Sequence, residues 1–141
     1  MTNDPREFLL SAFRAAVKEA QPKLCLPQFL PDSPKGKIVV IGAGKASAAM
    51  AAVAEDHYAS EISGLVITRY GYAVDCQNIE IVEAGHPIPN IDGHNATLRI
   101  LQNLASLSED DLVLCLLSGG GSSLLTLPIE ELSLTEKQQI N

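Results

Sequence analysis

A chain of 141 residues with 46% hydrophobic content is long enough for one ordinary domain with its own core and too short to expect two. A net charge of −7 leaves no broad basic surface, and three Tyr and three Phe with no Trp give no stacking platform for bases, so nucleic acid is excluded as an expected partner. Cys25, Cys76 and Cys115 are odd in number and widely spaced, and no stretch reaches the ~20 apolar residues a bilayer requires. The expectation is therefore a soluble, cytoplasmic protein with neither a disulfide framework nor a membrane partner.

Asp4-Pro5-Arg6-Glu7 has the form of a helix start, with Asp as N-cap, Pro at the first helical position and Glu three residues past the cap. Phe8, Leu9, Ala12, Phe13, Ala16 and Val17 then recur at helical spacing. Pro22, Pro27, Pro31 and Pro34 mark a connector, after which Lys37 to Ile41 is a short β-branched strand that ends in Gly42-Ala43-Gly44. An alanine-rich helix follows, from Lys45 to about Glu55. Leu65 to Thr68 reads as a second strand before Arg69-Tyr70-Gly71-Tyr72, and Ile79 to Glu83 as a third before Gly85-His86-Pro87. A helix is predicted from Ile91 to Ala105, and the apolar run Leu112 to Leu117 is a fourth strand that empties into Ser118-Gly119-Gly120-Gly121-Ser122-Ser123. Finally, Ser133 and Glu136 form a capping box whose helix is cut off at Asn141, so the chain is expected to be a fragment of a longer protein.

Short apolar strands alternating with helical patterns predict an α/β fold. The expected form is a three-layer, mostly parallel, doubly wound (Rossmann-like) sheet, incomplete at its C-terminus, with ligands collecting at the carboxyl ends of the strands. Strand order is left open, as is self-association into a homo-oligomer.

Two glycine loops carry the candidate chemistry. Gly42-Ala43-Gly44-Lys45-Ala46-Ser47 fails as a Walker A loop, because Val39 stands where its first glycine belongs. As a dinucleotide fingerprint it is imperfect, with Ser47 at the third position, and the second strand ends in Thr68-Arg69 where an acidic ribose ligand belongs. Arg69 would instead select the 2′-phosphorylated nicotinamide cofactor. The bland alternative is that Gly42 and Gly44 only permit a tight turn. Lys45 favours function, since a cation at the start of a helix opposes the macrodipole unless an anion joins it.

Three consecutive glycines cost conformational entropy, and a purely structural turn rarely needs all of them. Gly119, Gly120 and Gly121, with Ser118, Ser122 and Ser123, are therefore read as backbone N–H and hydroxyl groups brought against an anion. His86 could bind a substrate carboxylate or phosphate, or brace its own loop. His57 and His94 read as solvated, Glu109-Asp110-Asp111 as a solvated turn, and Cys115 as a buried small hydrophobe. No metal site is proposed, because no histidines or carboxylates share a ligand spacing.

Taken together, Val39 to Ser47, Val66 to Gly71, Glu83 to Pro89 and Leu114 to Leu125 resemble, in order, the glycerate 2-kinase family whose members end in a MOFRL domain and are often labelled hydroxypyruvate reductase. The resemblance implies ATP-dependent, magnesium-assisted phosphorylation of D-glycerate at its 2-hydroxyl, in a cleft between an N-terminal α/β domain and a C-terminal domain. It makes residues 1–141 the N-terminal part of the kinase domain, with the MOFRL domain absent and the 141-residue piece alone inactive. The family's motif lysine falls on Lys45, given the electrostatic role in phosphoryl transfer, and its anion loop on Ser118 to Ser123. The general base and the magnesium ligands are expected beyond Asn141. An NADPH-dependent hydroxypyruvate reductase and a non-catalytic sugar-phosphate-binding domain stand as the alternatives.

Overall fold

The computed structural model describes residues 4–59 and 62–140. Asp4 caps the first helix as predicted, accepting the Arg6 N–H at 2.9 Å, and α1 runs Pro5–Glu19. Its apolar stripe is uncovered among the described residues, with Phe8, Leu9 and Phe13 each 66% exposed. The prolines that follow restrict the chain to one helical turn, α2 (Pro22–Cys25), and a 3-10 turn at Pro27–Phe29.

The body is β1 (Ile38–Ala43), α3 (Ser47–Tyr58), β2 (Ile62–Arg69), β3 (Ile79–Ala84), α4 (Ile91–Leu104) and β4 (Leu112–Leu117). A one-turn helix, α5 (Gly121–Leu124), and α6 (Leu134–Ile140) complete it. The capping box at the start of α6 is closed in both directions: the Ser133 N–H reaches Glu136 Oε2 at 2.8 Å and the Glu136 N–H reaches Ser133 Oγ at 3.2 Å.

The four strands form one parallel sheet in the order β3-β2-β1-β4. Ile41 of β1 stands in register with Leu65 on one side and Cys115 on the other. The chain lays down β1, β2 and β3 in one direction and then crosses back to place β4 on the far side of β1. That reversal between β1 and β4 is the point of a doubly wound sheet where a crevice opens at the carboxyl ends.

Apolar residues cover both faces of the sheet. On one, Ile38, Val40, Val66 and Leu116 pack against Ala51, Ala54 and Tyr58 of α3. On the other, Leu65, Ile67 and Ala84 pack against Ala96 and Ile100 of α4 and Leu124 of α5. Each large side chain sealed here, such as Leu65 or Ile67, stabilises the fold by about 1.5–3 kcal/mol. Parallel neighbours normally need a helical crossover, yet residues 70–78 link β2 to β3 without helix. Glu55 of α3 holds that link, accepting the N–H groups of Gln77, Asn78 and Ile79 at 2.7, 2.5 and 3.0 Å.

Three local expectations change. Helix α3 begins at Ser47, so Lys45 lies in the turn before it and not in its first turn. Strand β2 starts at Ile62, well ahead of Leu65, because Gly64 lets it run against β1: a Cβ there would lie 1.9 Å from the Val40 carbonyl oxygen. Cys115 is exposed rather than buried. It alternates with Val113 and Leu117, both exposed, along a face of β4 that no described helix covers.

Candidate functional site

The carboxyl ends of β1 and β4 are sewn together by short bonds. The Ser118 N–H donates to the Ala43 carbonyl at 3.1 Å, and the Lys45 N–H to the Gly119 carbonyl at 2.9 Å. Ser118 Oγ accepts the Ala46 N–H at 2.9 Å and lies 3.3 Å from Ser47 Oγ. Ser47 is fully buried, and its hydroxyl donates to the Leu116 carbonyl at 2.9 Å. Glycine makes this seam sterically feasible. A Cβ on Gly42 would stand 2.3 Å from the Leu116 carbonyl oxygen, and one on Gly44, whose φ is +142°, 2.1 Å from Ser118 Oγ. Gly42, Gly44 and Ser47 thus form the joint beneath the site, with their free space taken up by β4.

Above the joint the second loop is open. Gly121 N–H turns back to the Ser118 carbonyl at 3.2 Å, and Ser123 N–H to the Gly120 carbonyl at 3.4 Å. The N–H groups of Gly119, Gly120 and Ser122 donate to no group among the described residues. Gly119 and Ser122 are exposed, and Leu117, Ser118, Gly120, Gly121, Ser122 and Leu125 line a hollow of about 440 Å³ beside them. Unpaired N–H groups on an exposed glycine loop can take an anion by the same physics that binds phosphates in glycine-rich loops.

Lys45 and His86 border this loop. The Lys45 stem passes Gly119, where an added Cβ would lie 3.7 Å from Lys45 Cε. His86 reaches in from the far side of the sheet, beyond β3, with Nδ1 2.8 Å from Ser123 Oγ and Nε2 3.5 Å from Lys45 Nζ. Residues from the loops after β1, β3 and β4 therefore meet over the switch point; the sequence places Lys45, His86 and Ser118 to Ser123 each at a strand end, and the strand order brings them together.

Arg69 stands apart. Its guanidinium lies 3.6 Å over the Tyr72 ring, its Nε is buried without a partner among the described residues, and no described bond ties it to the Lys45 cluster. Thr68, beside it, is buried and donates its hydroxyl to the Gly44 carbonyl at 3.2 Å, bracing the first loop.

One part of the edge escaped the sequence reading. Asn90 caps α4, its Oδ1 accepting the N–H groups of Gly93 at 3.2 Å and Gly85 at 2.9 Å, and its Nδ2 donates to Tyr70 Oη and Asp92 Oδ2, each at 2.8 Å. The Tyr70 hydroxyl also donates to Asp92, whose carboxylate holds that phenol above its ordinary range. This network ties the Tyr70 and His86 loops to one helix start. An asparagine directly before the first apolar residue of a predicted helix was the available signal.

A parallel, doubly wound α/β domain whose two glycine loops meet at the switch point is the class of protein these features define. Residues 8–141 match the family described as "Domain of unknown function (DUF4147)", and the chain belongs to that family. It is 47% identical over 137 residues to a protein of Agrobacterium vitis named "Putative hydroxypyruvate reductase", covering 96% of this chain and 31% of the relative. It is 41% identical over 127 residues to the D-glycerate 2-kinase of Thermotoga maritima, covering 89% of this chain and 28% of that one. The crystal structure of a Thermotoga maritima glycerate kinase superposes with a TM-score of 0.82 at 34% identity, over 95% of this chain and 33% of the other. The motif resemblance and the expected fold are both borne out, and the chain spans about a third of the length of the curated relatives it matches.

Proposed function

We propose that residues 1–141 are the N-terminal part of the α/β domain of a cytoplasmic glycerate 2-kinase, which transfers the γ-phosphoryl group of ATP to the 2-hydroxyl of D-glycerate. The C-terminal MOFRL domain then belongs to the remainder of the protein. The relatives named as D-glycerate 2-kinase and glycerate kinase support this reading. The observation that carries it is the juxtaposition of one cation with open backbone donors: the Lys45 side chain runs beside Gly119, while the N–H groups of Gly119, Gly120 and Ser122 remain unpaired among the described residues.

That arrangement suits phosphoryl transfer, which asks a protein mainly to position anions and stabilise spreading negative charge. The loop N–H groups would hold phosphate oxygens, and Lys45 would oppose the charge that develops as the bond to the leaving group lengthens. Magnesium in phosphoryl transfer is held by one or two carboxylates together with the substrate phosphates, and among the described residues no group of three or more His, Cys, Asp or Glu is placed to hold a metal on its own. No step is routed through it, and its ligands and the general base are assigned to the rest of the cleft.

The name of the Agrobacterium vitis relative favours a second reading, an NADPH-dependent reductase of hydroxypyruvate. In it, Arg69 would leave its Tyr72 stack to take the 2′-phosphate, and the β4 loop would have no task. Incubation of the whole protein with ATP, magnesium and D-glycerate, followed by coupled detection of ADP, separates the two. ADP and 2-phosphoglycerate are expected. A folded sample that yields no ADP above background but oxidises NADPH with hydroxypyruvate overturns the kinase. The 141-residue piece is expected to be folded and silent, and turnover by it alone would refute that division of labour.

A further inference from the structure

Ser123 and His86 form a connected pair whose hydrogen atoms can be counted. Ser123 is buried, with 3% exposure, and its Oγ has a single hydrogen to give. It lies 3.1 Å from the Gly120 carbonyl oxygen, which can only accept, and 2.8 Å from His86 Nδ1. When both contacts are made as hydrogen bonds, the hydroxyl hydrogen goes to Gly120, Ser123 Oγ accepts from the ring, and Nδ1 carries the imidazole proton. At the other end of the ring, Lys45 Nζ lies 3.5 Å from Nε2 and can only donate, which requires a lone pair there. Both neighbours select the same neutral tautomer. Gly120 leaves room for the ring as well: its φ is +92°, and a Cβ on it would come within 3.0 Å of His86 Cε1 and Nε2.

We propose that Ser123 and His86 are positioning residues that hold Lys45 at the mouth of the glycine loop without cancelling its charge. A carboxylate in the place of His86 would anchor the ammonium more firmly and neutralise it, leaving little for a phosphate. A neutral Nε2 lone pair takes one ammonium hydrogen and leaves the other two, with the full positive charge, for an anion on the Gly119 and Gly120 N–H groups. The proposal rests on the reading that Lys45 serves a phosphate, and it deepens that reading by explaining why a loop after β3 is drawn over to β1 and β4.

The test begins with the long-range proton–nitrogen NMR spectrum of the protein labelled with nitrogen-15 histidine. His86 should show a protonated Nδ1 and a bare Nε2, and Ser123→Ala, which leaves Lys45 alone to select the tautomer, should raise the share of the Nε2–H form. A wild-type His86 already in the Nε2–H form, or doubly protonated at neutral pH, overturns the proposal. Two His86 variants test the consequence without Ser123. His86→Asn keeps a donor toward Ser123 but loses the acceptor for Lys45, whereas His86→Gln can place an amide oxygen where Nε2 stood. The Asn variant should lose about tenfold in kcat with ATP and D-glycerate, the scale of one hydrogen bond to a charged group, and Gln should recover most of it. Equal activity of the Asn and Gln variants overturns the positioning role. Failure of the kinase reading looks different: no ADP forms in the wild type while His86 still holds the Nδ1–H form.

Discussion

Gly44 and Gly119 lie on neighbouring loops at one edge of the sheet, Gly119 accepting at its carbonyl the Lys45 N–H at 2.9 Å and Gly44 directly preceding that donor, and their missing side chains face different surroundings. A Cβ on Gly44 would run into Ser118 at 2.1 Å, whereas one on Gly119 would meet nothing nearer than Lys45 Cε at 3.7 Å. The first loop spends its glycines on bringing two strands together, and the second on keeping backbone N–H groups uncovered. A glycine-rich turn in a sequence signals close approach of something to the backbone; whether that something is protein or ligand depends on the strand beside it. Here Leu116 of β4 fills the space over Gly42, Ser118, just past the end of that strand, fills the space over Gly44, and the space over Gly119 is left to solvent.

The largest effect should follow from breaking the packed loop. Gly44→Ala combines a φ of +142° with a contact of 2.1 Å, and overpacking plus backbone strain should cost about 4 kcal/mol. Urea unfolding of the purified variant would measure it. A variant as stable as the wild type would mean that the β1 and β4 loops are not joined as described.

Removal of the cation from the open loop should leave the fold intact and act on turnover. Lys45 is exposed and holds its side chain over Gly119 and His86, so Lys45→Ala should unfold at the same denaturant concentration as the wild type. Its kcat with ATP and D-glycerate should fall by ~10²–10³-fold, the loss typical of one preorganised electrostatic contact to a transition state. Full turnover would transfer the whole anion-binding role to the backbone N–H groups.

Much of this edge could be read from the sequence. Lys45, His86 and Ser118 to Ser123 stand directly after apolar runs, so their placement at strand ends follows from the α/β alternation alone. The family resemblance added the order of the motifs. The chain could not reveal that β4 returns to the far side of β1, because strand order depends on how a crossover packs and not on local pattern. Without that, the division between packing glycines and open glycines was invisible, and Cys115 looked buried when its face of β4 is uncovered among the described residues. Ser63 and Gly64 hid the first part of β2 in the same way, since neither has strand propensity and only the neighbouring Val40 backbone explains them.

Glu55 supplies a control at the opposite end of the sheet, where it holds the start of β3. Burial pushes its carboxyl upward, but the N–H groups of Gln77, Asn78 and Ile79 outweigh that and set it below its ordinary value of 4.5. A carboxyl depressed by folding stabilises the protein above its unfolded pKa, and this contribution is lost as pH falls through the folded one. Glu55→Gln should therefore cost about 1–2 kcal/mol at neutral pH, a gap that narrows as the pH drops below about 4.5. Denaturation curves across that range measure it, while turnover per folded molecule at pH 7 stays at the wild-type level. A Glu55 variant with lost turnover would show that the two ends of the sheet are coupled, and the loop comparison would then have to include α3.

The glycine substitution with the smaller expected effect is the most discriminating one. Gly119 has a backbone conformation outside the left-handed region and open space at its Cβ, so Gly119→Ala should be neutral or stabilising by up to about 1 kcal/mol, through the smaller conformational freedom of the unfolded chain. The same methyl would stand against the Lys45 stem, 3.7 Å from Cε, on the loop whose N–H groups would hold the phosphate, and should raise the KM for ATP by about tenfold, the equivalent of ~1.4 kcal/mol. The two substitutions are the same chemical change on loops one hydrogen bond apart. If Gly44→Ala unfolds the protein and Gly119→Ala weakens only its ligand, the packed loop and the open loop are separate devices. If Gly119→Ala is also destabilising, the second loop is packed against something that the described residues do not include, and its N–H groups are not free to hold a phosphate.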